Sequence, residues 1–261
     1  MLRVGMLTSG GDCQSLNATM RGVAKSLYKL YRKDVEIIGF LDGYKGLIYE
    51  KYKIMQESDF SGILTRGGTI IGTSREAFKR IREIEEDGIN KVEAMKNTYS
   101  KLGLDGLVVL GGNGSQKTAN LLCQEGLNVI GLPKTIDNDL FGTEMTFGFH
   151  SALEVATRAI DNIHTTAASH GRVFIVEIMG NKVGWLTLYA GLAGGADIIL
   201  MPEIPYDINL VANAIKIREE SNKKFSILAV AEGAMSMEDS RLTKKELRIK
   251  RRLSNYPSVA Y

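Results

Sequence analysis

The sequence has little of what several classes of protein require. It contains only two cysteines, Cys13 and Cys123, in 261 residues, so it supports neither a disulfide framework nor a cysteine metal site. No apolar run approaches the roughly 20 residues that a membrane helix needs, and the first residues lack the apolar segment and cleavage site of a secretory signal. With four prolines and no low-complexity tract, the composition is that of an ordinary globular protein, which we expect to be cytoplasmic.

Positive charge is also scarce outside one short segment. The formal net charge is +3, but residues 241–252 contain seven basic residues against one acid, Glu246. Without that segment 26 basic and 29 acidic residues remain, so the rest of the chain is mildly acidic. We therefore interpret the basic segment as a solvated helix rather than a polyanion site, and we expect neither a nucleic-acid nor a membrane partner.

Short β-branched runs alternate with amphipathic stretches along the chain. Strands are predicted at residues 4–7, 35–40, 106–110, 129–132, 173–178, 198–201 and 227–231. Helices are predicted at residues 17–31, 89–102, 116–124, 152–168 and 208–219. Repeated alternation of strand and helix predicts an α/β fold with parallel sheets covered by helices on both faces. Ligands in such sheets bind beyond the carboxyl ends of the strands, where the glycine-rich loops of this chain fall.

Two glycine-rich loops follow predicted strands. The first is Thr8-Ser9-Gly10-Gly11-Asp12, and the second is Gly111-Gly112-Asn113-Gly114-Ser115. Paired glycines at a strand-to-helix turn let backbone N–H groups approach a phosphate at a helix N-terminus. The first loop is neither a Walker A motif nor a dinucleotide fingerprint. One such loop could be a simple tight turn, but two in one domain favour a polyphosphate lying between them.

A third polar loop, Pro133-Lys134-Thr135-Ile136-Asp137-Asn138-Asp139, also follows a predicted strand. Two carboxylates two residues apart can divide the work between a general base and a ligand of Mg²⁺ or water. A cluster of Asx turns is the alternative interpretation, although Lys134 suits phosphate charge better than capping. Arg75 is a further candidate, because a guanidinium between donor and acceptor phosphates would stabilise the charge in transfer.

The order and spacing of these motifs, from residue 4 to about residue 232, closely resemble the phosphofructokinase family. The most specific parts are the 135–139 loop, the Arg172 loop and the Met179-Gly180 motif. The resemblance implies two Rossmann-like α/β/α domains with mostly parallel sheets, an active site in the cleft between them, and a homo-oligomer, commonly a tetramer. We accordingly expect a phosphoryl-donor domain at residues 1–148 and a sugar-phosphate domain at residues 149–261.

The resemblance also implies roles for individual residues. Asp137 would take the proton from the 1-hydroxyl of fructose 6-phosphate, and the other implied catalytic residues are Thr135, Arg75 and Asp139. The residues implied at the donor site are Gly11, Arg75, Glu76, Gly112, Asn113, Gly114, Ser115 and Lys134. The residues implied at the sugar site are Thr135, Ile136, Asp137, Arg172, Met179, Gly180, Asn181 and Glu232. Mg²⁺ would be held at Asn113 and Asp139, and Arg172 usually acts across a subunit boundary in this family.

Several positions bear on the donor and on activity. Pyrophosphate users of the family commonly carry Asp where Gly114 stands, so Gly114 favours ATP, whereas Lys134 is more typical of pyrophosphate users. Asn113 stands where the family usually has a metal-associated Asp, which predicts weakened binding of Mg²⁺-nucleotide. Asn181 stands where the family usually has an Arg, so one positive charge near the sugar is missing. Family members also continue beyond the segment that matches residues 256–261, so we expect this chain to be inactive or very weak by itself.

The sequence therefore leaves three functions open. The first is an ATP-dependent kinase of fructose 6-phosphate, with a pyrophosphate-dependent enzyme as its variant. The second is a catalytically inactive module that binds nucleotide or assembles with longer subunits. The third is a NAD or lipid kinase, since Gly-Gly-Asp-Gly-Ser loops similar to the second loop also occur there.

Overall fold

The computed structural model describes residues 1–84, 88–254 and 258–259, and these residues form two compact units. The first unit comprises the described residues of Met1–Thr135 together with Leu140–Gly148. The second comprises Ile136–Asp139 and the described residues from Phe149 onward. The segment Ile136–Asp139 thus groups with the second unit, although it lies within the first predicted domain.

A six-stranded sheet forms the centre of the first unit, in the order β3-β2-β1-β4-β5-β6. Its strands are β1 (Leu2–Ser9), β2 (Val35–Phe40), β3 (Tyr52–Met55), β4 (Gly106–Gly111), β5 (Val129–Thr135) and β6 (Phe147–Gly148). Only β2 and β3 pair antiparallel among these strands, and the other neighbours pair parallel. The carboxyl ends of β1, β4 and β5 therefore lie next to one another at one edge of the sheet.

Helices cover both faces of this sheet. They are α1 (Leu16–Tyr31), α2 (Tyr44–Ile48), α3 (Lys91–Lys101) and α4 (Asn113–Gln124), with short 3₁₀ turns at Glu57–Phe60 and Phe78–Arg80. Because side chains alternate along a strand, Leu7 and Val109 pack on the side of α2, α3 and α4. Met6 and Val108 point the other way and pack with the apolar stripe of α1. The first unit is therefore a three-layer α/β/α sandwich.

The second unit has a smaller parallel sheet, in the order β7 (Val173–Ile178), β9 (Ser226–Ala231) and β8 (Ile198–Leu200). Its helices are α5 (Phe149–His170), α6 (Trp185–Ala193), α7 (Ile208–Glu220) and α8 (Lys244–Leu253), with a 3₁₀ turn at Asp239–Arg241. Ile227 and Ala229 pack with α5 and α6, whereas Leu228 and Val230 pack with α7 on the opposite face. All six residues of β9 are buried, and the five that follow Ser226 are apolar, as expected of a strand covered on both faces.

The predicted α/β class with mostly parallel sheets is confirmed, and each predicted strand and helix has a counterpart. The antiparallel strand β3, the two-residue strand β6 and the helices α2 and α6 were not predicted. In α6, Thr187 is the one strongly polar residue of nine, so the helix shows no amphipathic period. The predicted helix 116–124 begins earlier, at Asn113, because Gly112 serves as its N-cap. Within the described part of the chain, the helices are too short or too polar to cross a bilayer.

Candidate active site

The two glycine-rich loops lie side by side in the first unit. They follow β1 and β4, which are neighbours in the sheet, with Ser9 opposite Gly111. Ser115 Oγ donates a hydrogen bond of 2.9 Å to Ser9 Oγ, and this contact is buried. The second loop is thereby tied to the first at the point where both leave the sheet.

The first loop is held by the segment that precedes Arg75. Gly10 has φ of +91°, a left-handed conformation that glycine adopts without strain. Its N–H donates to the Ser74 carbonyl at 3.0 Å, and Thr73 Oγ1 donates to the Gly10 carbonyl at 2.8 Å. These two bonds hold both the N–H and the carbonyl of Gly10 in place.

Lys134 brings the third loop to the same place. It is the sixth residue of β5 and is only 5% exposed. Its Nζ donates to the Gly11 carbonyl, and it would lie 3.8 Å from a Cβ placed on Gly10. Since a buried ammonium needs polar partners, this bond ties the end of β5 to the loop after β1. The second loop is also adjacent, because a Cβ placed on Gly112 would lie 3.5 Å from the Lys134 carbonyl.

Arg75 adds a second cation beside Gly11. Its Nη2 lies 3.6 Å from the position that a Cβ on Gly11 would occupy, so the guanidinium lies close over the backbone of that glycine. Arg75 is exposed, whereas the neighbouring Glu76 is paired with Lys91 at 3.0 Å. An exposed guanidinium next to an N–H-rich turn suits a polyphosphate.

The N-terminus of α4 faces the same region of the loops. Asn113 and Gly114 form its exposed first turn, after Gly112 at the N-cap. The first N–H groups of a helix have no partner within the helix and attract anions. A Cβ placed on Gly114 would meet no atom within 4 Å, so this turn is open to a ligand.

Tyr44 supports the second loop from within the core. Its side chain is fully buried and its hydroxyl donates to the Ser115 carbonyl at 2.8 Å. Burial raises the pKa of this phenol far above its usual value, so the hydroxyl stays protonated and remains a donor.

We expect Tyr44→Phe to lower the free energy of unfolding by about 1 kcal/mol, because one buried hydrogen bond is lost without a change of shape. Urea unfolding followed by circular dichroism measures this. Tyr31→Phe is the matched control, since Tyr31 is 46% exposed. Equal unfolding midpoints for the two variants would show that the bond to Ser115 contributes nothing.

The acidic loop leaves the first sheet and returns to it. Thr146 Oγ1 donates to the Thr135 carbonyl at 2.7 Å, and β6 pairs with the end of β5. Between these points Asn138 adopts φ of +54°, so the segment turns at Asn138. Asp137 is half-buried and Asp139 is exposed. This turn keeps both carboxylates within a short, defined segment.

In the second unit, Glu232 organises the predicted sugar-binding turn. It follows β9, next to the end of β7. Its Oε1 accepts hydrogen bonds from the N–H groups of Gly180 at 3.0 Å and Asn181 at 2.6 Å. Asn181 has φ of +55°, and Met179 is 61% exposed. Asn181 and Glu232 also line a cavity of about 600 Å³.

Arg172 is not brought to this turn within one chain. It immediately precedes β7, whereas Met179 immediately follows that strand. Six residues at about 3.3 Å each separate the two ends by roughly 20 Å. Arg172 is exposed, and its backbone N–H and carbonyl bond to Ala167 and Ser226.

The predicted metal residues fit Mg²⁺ only in part. The described residues contain no group of three or more His, Cys, Asp or Glu side chains that could hold a metal ion. Asn113 and Asp139 each offer a hard oxygen ligand, and they belong to different units. Mg²⁺ usually keeps several waters and takes one or two protein ligands together with substrate phosphates, so each of these residues by itself could supply one of its ligands.

Three residues that support the site were not predicted from the sequence: Ser9, Tyr44 and Lys91. Ser9 lies inside the first loop, so its position beside the glycines was a usable signal. Tyr44 and Lys91 contact the site across 71 and 15 residues of sequence, and no local pattern reveals such contacts.

The chain resembles known proteins along nearly its whole length. The family model described as phosphofructokinase matches residues 3–256. A protein of Spirochaeta thermophila named ATP-dependent 6-phosphofructokinase is 55% identical over 260 residues, which are 98% of this chain and 70% of that protein. One of the same name from Propionibacterium freudenreichii subsp. shermanii is 50% identical over 241 residues, 92% of this chain and 63% of that protein. This chain thus spans about two thirds of the length of these relatives.

Solved structures give the same picture. Phosphofructokinase from Saccharomyces cerevisiae matches with a TM-score of 0.81 and 32% identity, over 95% of this chain and 36% of that one. A pyrophosphate-dependent phosphofructokinase from Marinobacter aquaeolei matches with a TM-score of 0.77 at 23% identity, over 90% of this chain and 62% of that one, and supports the fold alone. The match over residues 3–256 and the identity to the two bacterial relatives establish that this chain belongs to the phosphofructokinase family.

Proposed function

We propose that the protein is an ATP-dependent 6-phosphofructokinase of glycolysis, which transfers the γ-phosphoryl group of ATP to the 1-hydroxyl of fructose 6-phosphate and gives fructose 1,6-bisphosphate. Relatives that are 55%, 50% and 46% identical to the chain are named ATP-dependent 6-phosphofructokinases, which supports this activity. The observation that carries the proposal lies in the first unit: the two glycine-rich loops are joined by the bond between Ser115 and Ser9, and the buried Lys134 is bonded to the Gly11 carbonyl. Two glycine turns, one helix N-terminus and two cations form a site suited to a polyphosphate.

The donor is ATP rather than pyrophosphate in this proposal. The first turn of α4 has open space at Gly114, and a nucleotide's α-phosphate would be accommodated there. Lys134 is buried against the first loop and bonded to the Gly11 carbonyl, so its charge supports that loop. A lysine in this position is compatible with ATP because the larger donor can still contact Arg75 and the turn of α4.

The chain's own residues would perform the transfer mainly by positioning and charge. Asp137 would accept the proton of the sugar 1-hydroxyl as that oxygen attacks the γ-phosphorus, while the bond to the bridging β–γ oxygen breaks. Thr135 would line the transfer site, and Arg75 and Lys134 would offset the charge of the phosphoryl group. Asn113 and Asp139 would hold Mg²⁺, which supplies further neutralisation of phosphate charge when bound.

The second unit would hold the sugar. The turn fixed by Glu232 presents Met179, Gly180 and Asn181, and Ile136 would contact the sugar beside Asp137. Arg172 lies at the opposite end of β7, which supports a role toward the 6-phosphate bound by a second copy of the chain. We accordingly propose a homo-oligomer in which this arginine acts in trans.

Asn113→Asp should lower the Mg²⁺ concentration needed for half-maximal activity by about threefold or more, because a carboxylate adds negative charge that an amide lacks. Initial rates across a Mg²⁺ titration at fixed ATP measure this. Asn120→Asp is the control, since Asn120 is exposed further along the same helix. A Mg²⁺ requirement that stays the same or rises in Asn113→Asp would contradict a metal contact at this position.

The activity itself is tested by following fructose 1,6-bisphosphate in a coupled assay with fructose 6-phosphate and either ATP or pyrophosphate. Turnover with ATP supports the proposal. Turnover with pyrophosphate alone would overturn the choice of donor, and nucleotide binding without any turnover would favour a binding module. Phosphorylation of NAD or of a lipid in place of the sugar would overturn the substrate.

A further inference from the structure

Glu76 and Lys91 form the most deeply buried of the ion pairs between described residues. Glu76 Oε2 lies 3.0 Å from Lys91 Nζ, and their side chains are 12% and 5% exposed. Burying two charges is costly unless they are paired. A buried ion pair therefore need not stabilise the fold. Because Glu76 directly follows Arg75, the pair can instead fix the position of Arg75.

The needs of the helix do not explain a lysine at this point. Lys91 is the first residue of α3, where the helix macrodipole is unfavourable to a cation. The Asn90 side chain already caps the helix by accepting from the N–H groups of Val92 at 3.2 Å and Glu93 at 3.3 Å. The carboxylate of Glu76, 3.0 Å from the ammonium, offsets this unfavourable placement of the lysine.

The segment 73–76 is anchored on both sides of Arg75. On one side Thr73 is bonded to Gly10, and Ser74 Oγ donates to the Asp42 carbonyl at 2.6 Å. On the other side Glu76 is held by Lys91. Arg75 lies between these anchors, and its guanidinium reaches Gly11. The backbone that carries the guanidinium is thus fixed at both ends.

The pair also forms part of the wall of a charged cavity. This cavity has a volume of about 490 Å³. It is lined by Asp42, Lys45, Tyr49, Lys51, Arg75, Glu76, Ala77, Arg80 and Lys91. Five cations and two carboxylates give the lining a positive excess suited to a polyanion. Without Lys91, the positive excess of this lining would fall, and the carboxylate of Glu76 would lose the cation that lies 3.0 Å from it.

We propose that Lys91 is a positioning residue for the phosphoryl donor: through Glu76 it fixes the carboxyl side of the 73–76 segment and so keeps the Arg75 guanidinium over Gly11. This inference rests on the proposed function, because it takes ATP as the ligand of that site. The inference applies to the binding of ATP and not to that of the sugar, since the residues involved all belong to the first unit.

Four variants test the proposal by steady-state kinetics and by equilibrium dialysis of ATP. In Lys91→Met the KM and Kd for ATP should rise about tenfold, because the arginine is displaced, while the KM for fructose 6-phosphate stays the same. Lys91→Arg keeps the ion pair and should restore ATP binding to within about threefold of the wild type. Lys101→Met is the matched control, because Lys101 lies on the same helix in an exposed pair with Glu50.

The fourth variant separates positioning from stability. Glu76→Gln/Lys91→Met removes both charges, so its urea midpoint should recover relative to Lys91→Met. Its KM for ATP should nevertheless stay raised about fivefold, because the anchor of the segment is missing. Recovery of ATP binding together with stability would reduce the pair to a structural role and overturn the proposal.

The remaining outcomes distinguish this inference from the proposed function. If Lys91→Met binds ATP as tightly as Lys101→Met does, the positioning role of Lys91 is overturned, but the proposed kinase activity is not. A wild-type protein that binds ATP but transfers no phosphoryl group overturns the proposed function, and the dialysis data still decide the role of Lys91. A wild-type protein that binds no ATP overturns both.

Discussion

Replacing Asp137 by Ser is expected to lower kcat by about a hundredfold or more, with little change in the KM for ATP, because positioned general bases typically contribute 10²- to 10⁴-fold. The structure gives the carboxylate a defined setting. The loop begins where Thr146 holds the Thr135 carbonyl, and it turns at the left-handed Asn138. A hydroxyl in place of the carboxylate is a far weaker base, so the sugar oxygen would have to attack while still protonated.

The measurement is a coupled assay with fructose 6-phosphate at saturating ATP, repeated for Asp137→Asn, which keeps the size of the side chain and removes its charge. Both variants should lose activity to a similar extent. Asp161→Ser is the control, because Asp161 is an exposed carboxylate on α5 in the same unit. If all three variants have the same kcat as the wild type, Asp137 is not the general base.

Much of the site followed from the sequence because its parts are short and local. A glycine pair after a β-branched run marks a turn at the end of a strand, and the structure has such turns after β1 and β4. Parallel pairing of these strands then brings the loops together. The acidic loop was recognisable for the same reason, since its residues are consecutive.

Other parts depend on long-range packing that no local pattern contains. The predicted helix after the second loop began three residues late because Asn113, Gly114 and Ser115 are poor helix formers, yet their N-terminal position favours them. The burial of Lys134 and Lys91 was invisible, since lysine is normally exposed. Their partners, a carbonyl in β1's loop and the carboxylate of Glu76, lie 123 and 15 residues away.

The position of Arg172 shows a different limit. The resemblance to the family implied that Arg172 and Met179 both contact the sugar phosphate, with Arg172 usually acting across a subunit boundary. Because the intervening residues form the straight strand β7, the two lie at opposite ends of one strand. Residues seven apart in the sequence are thus separated by the length of β7.

Gly114→Asp is expected to lower kcat/KM for ATP by about a hundredfold, because like charges placed together at a binding site cost several kcal/mol. The variant should fold normally. A Cβ at residue 114 meets no atom within 4 Å, and a carboxylate in the first turn of α4 is favoured by the helix macrodipole. The loss would therefore be in the donor site and not in the free energy of unfolding.

Gly114→Asn separates charge from crowding, since it adds nearly the same volume without the negative charge. If repulsion of the α-phosphate dominates, Gly114→Asn should retain most of its ATP activity, whereas Gly114→Asp should lose it and keep any activity with pyrophosphate. Equal losses in both variants would assign the effect to crowding. Unchanged ATP kinetics in Gly114→Asp would mean that the nucleotide does not pass over this turn of α4, and the choice of ATP on the basis of Gly114 would fall with it.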